Sequence, residues 1–134
     1  MSGIRNRNTK PEIRLRRALH ALGFRFRLHA KGLPGKPDIV LRKHNAVIFV
    51  HGCFWHRHAN CRLATIPVSN ADFWSEKFSR NVERDKANLE ALALAGWRVG
   101  IIWECGVRPK DITLIVNQLK RWLLSSDSTI VLPF

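Results

Sequence analysis

Acidic residues are scarce in this chain: ten Asp and Glu stand against 23 Lys and Arg, a formal net charge of +13 over 134 residues. For a single small domain that imbalance points to a polyanion, most often nucleic acid, with a solvated basic surface as the plain alternative. Cysteine is scarce too. The three present, Cys53, Cys61 and Cys105, cannot all pair, which argues against a disulfide scaffold and for a reducing, cytoplasmic compartment. Long apolar runs are missing: no window approaches a membrane span, and the opening MSGIRNRNTK has no apolar core of a signal peptide. Internal repeats and low-complexity segments are absent. With 46% hydrophobic and 25% charged residues the chain reads as one folded globular domain spanning residues 1–134.

The basic residues are not spread evenly. Residues 1–43 carry twelve of them (Arg5, Arg7, Lys10, Arg14, Arg16, Arg17, Arg25, Arg27, Lys31, Lys36, Arg42, Lys43) and two acids, Glu12 and Asp38. An acid inside a field suited to phosphate repels the ligand unless it holds a cation against it.

Residues 1–8 lack periodicity and read as a flexible basic arm. Thr9-Lys10-Pro11-Glu12 has capping-box spacing, and Leu15, Ala18, Leu19 and Leu22 follow at helical spacing up to Gly23. Phe24 to His29 alternates with period two, as a half-buried strand with arginines on one face does. A Gly- and Pro-containing turn at 31–36 leads to a strand beginning at Pro37-Asp38, and His44-Asn45 turns it into a buried strand, Ala46 to Val50. That hairpin places the Asp38 carboxylate near Val50 and His51. A long helix over 71–94, with Ser69 or Asn70 as cap, ends at Gly96. A strand follows from Trp97 to Trp103, and then an amphipathic helix after Asp111, whose stripe Ile112, Ile115, Val116, Leu119, Trp122 and Leu123 reads as core. The tail 130–134 carries no clear signal.

Chemistry concentrates at the end of the Ala46–Val50 strand. Eleven residues, His51 to Cys61, hold His51, His56, His58, Cys53 and Cys61 and an exposed-looking Phe54-Trp55 pair. Cys53, His58 and Cys61, joined by Cys105 after another strand, make a Cys3His set suited to structural zinc, the alternative being ordinary buried thiols. That assignment leaves His51 and His56 available beside Asp38 and Glu12. Asp38 and the Val50 carbonyl are hard oxygen donors suited to Mg2+, Glu12 and His51 can hold waters around the ion, and His56 can shuttle a proton. A helix cap accounts for Glu12 equally well, and lone histidines are commonly structural.

These residues also carry a resemblance. Thr9-Lys-Pro-Glu12, Pro34-Gly-Lys-Pro-Asp-Ile39, Ile48-Phe-Val-His-Gly-Cys-Phe-Trp-His56, Phe73-Trp74, Asn81-Val-Glu-Arg-Asp85 and Gly96-Trp-Arg-Val99 through Trp103-Glu-Cys105 resemble the very short patch repair (Vsr) mismatch endonucleases, in family order over about residues 1–105. The resemblance implies the restriction-endonuclease-like (PD-D/E-x-K) fold, an α/β fold with a central mixed sheet flanked by helices and a structural zinc site. It implies a Mg2+-dependent hydrolase that nicks double-stranded DNA beside a T:G mismatch, acting as a monomer in the bacterial cytosol or nucleoid, with mismatch-repair proteins as possible partners. By the same resemblance Asp38 is the catalytic metal ligand, Glu12, His51 and His56 surround hydrated Mg2+, and Asp85 supports His56. Cys53, His58, Cys61 and Cys105 hold zinc, and Phe54 and Trp55 wedge into DNA with help from Met1. Arg5, Arg7, Lys10 and Arg14 belong to the DNA-binding arm and first helix. Two departures stand out. Val50 occupies a position held by threonine in the best-known member, a change that spares a carbonyl contact, and His58 and Cys61 are one residue further apart. A restriction-like or structure-specific nuclease of the same fold, or a zinc-bearing DNA-binding module without activity, are the alternative readings.

Overall fold

A computed structural model describes residues 9–54, 56–59, 61–65 and 67–133. Met1, Arg5, Arg7 and Trp55, expected at the DNA, lie outside the described residues. The element order is α1 (Lys10–Ala21), β1 (Arg27–Leu28), β2 (Ile39–Leu41), β3 (Ala46–His51), α2 (Ala71–Leu94), β4 (Arg98–Trp103), α3 (Ile112–Leu124) and β5 (Thr129–Leu132). The five strands form one mixed sheet in the order β1-β2-β3-β4-β5. The β1–β2 and β2–β3 pairs are antiparallel, whereas β3–β4 and β4–β5 are parallel.

The central strand β3 explains the layering. Its side chains alternate between the two faces of the sheet, and both are covered. Ala46 and Ile48 pack with Leu15 and Leu19 of α1 and with Ile115, Val116, Leu119 and Leu123 of α3. Val47 and Phe49 pack on the other face with Leu92 of α2 and Val99. The α3 stripe read from the sequence is therefore core, with Ile112 packed at its edge. Gly35 shows how closely the loop before Asp38 is packed. It has φ +75°, and a Cβ there would sit 3.1 Å from both Asn88 of α2 and the Phe49 ring.

Three local expectations change. The strand expected over Phe24–His29 shrinks to Arg27–Leu28, both exposed, because among the described residues β1 is an edge strand paired with β2 alone. Phe24 and Phe26 still turn inward onto the core. The tail, without a clear signal in the sequence, contributes β5, which pairs Val99 to Ile102 in parallel register. Neither Asn70 nor Asp111 caps its helix through its side chain. Asp111 instead pairs with Arg108 at 3.2 Å.

Candidate active site and metal centre

The sheet topology gathers the site. Antiparallel pairing of Ile39 with Ile48 sets the start of β2 beside the end of β3, and the Val50 N–H donates to Asp38 Oδ2 at 2.7 Å. Parallel pairing of β3 with β4 sets His51 beside Trp103, so both strands end at one edge, where α/β sheets commonly hold ligands.

Glu12 lies on α1, whose N-cap Thr9 hydroxyl accepts from the Glu12 N–H. Its carboxylate turns inward. It is 1% exposed and its Oε2 accepts from His29 Nε2 at 2.7 Å and Arg16 Nη1 at 3.0 Å. Glu12, His29 and Asp38 offer ligand atoms all within 4.8 Å of one another. Burial pushes the Asp38 carboxyl up to about 7, against the Val50 N–H that favours its charge, and Glu12 adds to the rise. Two carboxylates that resist joint ionisation form a place where a cation is strongly favoured.

His51, His56 and Asp85 form the adjoining group, again with ligand atoms within 4.8 Å. The His51 and His56 rings stack at 3.9 Å and 5°, and the edge of His51 meets Trp103. Burial, reinforced by His56, lowers His51 to about 3, so it is a neutral imidazole at any physiological pH. Asp85, on α2, meets His56 Nδ1 at 2.5 Å. A carboxylate there can only accept, which puts the proton on Nδ1 and leaves Nε2 as the basic nitrogen.

Beyond this edge, Cys53, His58, Cys61 and Cys105 converge. His58 Nδ1 lies 3.5 Å from both the Cys53 and the Cys105 sulfur, and its ring stacks on Trp103 at 4.3 Å. The Cys53 N–H donates to Glu104 Oε1 at 2.9 Å. Burial raises the Cys53 and Cys105 thiols. The Cys61 thiol is lowered: burial opposes that shift, and hydrogen bonds from Leu63, Ala64 and the neighbouring thiols outweigh it. The cluster can hold a metal ion.

Two sequence expectations change here. Phe54 is half-buried, its ring edge-on to Trp74 and Phe78 of α2 at 5.9 and 5.2 Å. Arg14 donates to the Val107 carbonyl at 2.7 Å, tying α1 to the segment after β4, while Lys10 is exposed. Two residues had no signal in the sequence. His29, just past β1, meets Glu12 through its ring while its backbone N–H donates to the Asp38 carbonyl. Arg57, at φ +55°, donates to the Phe54, Ala64 and Thr65 carbonyls and lies over the Phe78 ring at 4.1 Å, so it ties the Cys-rich loop to α2.

A basic mixed α/β domain with a carboxylate–imidazole centre beside a thiol-rich metal cluster has the chemical equipment of a metal-assisted phosphodiesterase. Comparison with known proteins makes this particular. Residues 1–62 match the family model described as DNA mismatch endonuclease Vsr. The chain is 50% identical over 105 residues to the type II nicking enzyme V.XorIIP of Xanthomonas oryzae, covering 78% of this chain and 76% of that protein. It is 46% identical to the type II nicking enzyme V.NmeAIP of Neisseria meningitidis, over 84% and 79% of the two chains. It is 40% identical to the DNA mismatch endonuclease Vsr of Escherichia coli, over 92% and 80%. The chain belongs to the Vsr family of DNA mismatch endonucleases.

Proposed function

We propose that this family member nicks one strand of double-stranded DNA beside a T:G mismatch by Mg2+-dependent phosphodiester hydrolysis. The observation that carries the reading is the contiguity of two donor groups, Glu12–His29–Asp38 and His51–His56–Asp85, at one edge of the sheet. Asp38 and the Val50 carbonyl would hold the ion, which when bound supplies charge neutralisation at the phosphate and acidifies water. Glu12 and the neutral His51 orient water by hydrogen bonds. His56, oriented by Asp85, takes or gives a proton at Nε2. The Cys3His cluster would hold zinc. Tetrahedral zinc with sulfur at about 2.3 Å and nitrogen at about 2.0 Å separates S and N donors by about 3.5 Å, and the two sulfur–His58 distances are 3.5 Å. Mismatch-repair proteins are the proposed partners and the bacterial cytosol the proposed compartment; among the described residues no helix is long and apolar enough to cross a membrane.

A nicking assay on T:G, fully matched and branched duplexes in Mg2+ tests the substrate. Preference for T:G is expected, and equal cutting of matched DNA would overturn it. Phe54 and Trp55 are proposed to wedge beside the mismatch, where a wobble pair is the cheapest to unstack. Phe54→Ala is therefore expected to cost T:G preference more than binding to matched DNA. Equal loss on both would remove the wedge role.

The basic field predicts a linear fall of log affinity with log salt through counterion release. Lys10→Ala should reduce the magnitude of that slope by about 1 on matched and mismatched DNA alike. An unchanged slope would place Lys10 away from phosphate.

A further inference from the structure

We propose that His29 is a positioning residue that sets the separation of the Glu12 and Asp38 carboxylates, and through it the affinity of this edge for a divalent cation. The inference rests on the metal-site reading above. Glu12 comes from a helix and Asp38 from a strand start, so nothing in either element alone fixes one carboxylate relative to the other. His29 touches both residues. Its backbone N–H donates to the Asp38 carbonyl at 3.0 Å, and its ring Nε2 meets Glu12 Oε2 at 2.7 Å.

The backbone at this point is unusual. His29 has φ +49°, a left-handed conformation that costs a non-glycine residue energy and persists where surrounding structure over-determines it. That conformation falls where β1 ends and the chain turns toward the Gly-Pro loop, and it allows backbone and ring to engage Asp38 and Glu12 together. Arg16 reaches the same Glu12 oxygen at 3.0 Å from one turn along α1. Its contact travels with the helix and carries no information about the sheet, whereas the His29 contact does. Because a carboxylate only accepts, the ring donates from Nε2, and an amide donor of similar reach can replace it. An imidazole acting as a direct metal ligand could not be replaced in that way.

The test uses the full-length, zinc-loaded protein and Mn2+ as the probe, with free ion read by electron paramagnetic resonance. His29→Leu is expected to weaken Mn2+ binding by about 10- to 100-fold, the range for residues that orient metal-holding groups. His29→Gln is expected to stay within about threefold of wild type. Thermal midpoints of both variants are measured alongside, and if His29→Leu fails to fold, His29→Gln and His29→Ala carry the comparison. Wild-type affinity in His29→Leu, or a loss in His29→Gln equal to that in His29→Leu, would overturn the positioning role. Asp38→Ala separates the two levels of the argument. Loss of Mn2+ binding there with none in His29→Leu refutes the His29 role alone, whereas retention in Asp38→Ala refutes the metal-site reading and the His29 role with it.

Discussion

Asp38→Ala is expected to lower nicking of a T:G duplex in Mg2+ by on the order of 10³-fold or more, since it removes the carboxylate proposed to hold the ion that neutralises the phosphate. DNA binding, carried by the basic field, should survive. Comparable nicking by the variant would displace the reaction from this edge of the sheet. The same residue predicts a pH dependence. Its folded-state pKa is raised from 3.8 to about 7 by burial, so the folded protein holds the carboxyl proton more tightly than the unfolded chain does. Without divalent cations, stability is thus lost as pH rises from about 3.8 to about 7, with the full penalty present above that. Asp38→Asn should remove this slope and raise the ion-free melting temperature at pH 8. Because proton and cation compete for the same oxygens, nicking at limiting Mg2+ should increase as pH rises through about 7. A flat profile between pH 6 and 8 would contradict the assignment.

Removal of the metal proposed for the thiol cluster is expected to have the second large effect. Among its described residues the Cys-rich loop between β3 and α2 has no helix or strand of its own, and the converging side chains of Cys53, His58, Cys61 and Cys105 tie it to the segment after β4. Chelation, or Cys105→Ser, is expected to cost several kcal/mol, seen as a fall in melting temperature on the order of 10 °C. Activity should fall with it, because His56 sits in the same loop and would lose its alignment on Asp85 and His51. The loss should be smaller than in a zinc finger, since the sheet keeps its own core on both faces. Metal analysis showing no zinc in the purified protein, with unchanged stability in chelator, would reduce the cluster to buried thiols.

Much of the candidate site was legible because its residues lie close to one another along the chain. His51, Cys53, His56, His58 and Cys61 fall within eleven residues, and the hairpin between β2 and β3 brings Asp38 to Val50 by short-range pairing. Asp85 was reached by resemblance alone. A single aspartate among the many charges of α2 has no local mark of its role, which appears where the helix crosses the His56 loop. Phe54 looked exposed because a loop aromatic has no periodicity to betray its packing, yet α2 supplies Trp74 and Phe78 against it. β5 was too short, and too lightly patterned, to be told from a loose tail. It is a strand because β4 offers an open parallel edge.

The amino-acid pattern by itself determined the helices, the central strands, the basic character and the types of chemistry available, since periodicity, caps and ligand-rich spacing are local properties. The tertiary structure alone decided which way the donors point and what each of them meets. It turned the Glu12 carboxylate toward a buried meeting with His29, held His51 neutral by burial, and brought His29 and Asp85 to the end of β3 from separate segments. Burial and cross-element hydrogen bonds depend on what the rest of the chain brings alongside, and the residues that meet at the end of β3 come from a helix before it, a helix after it and the edge of the sheet.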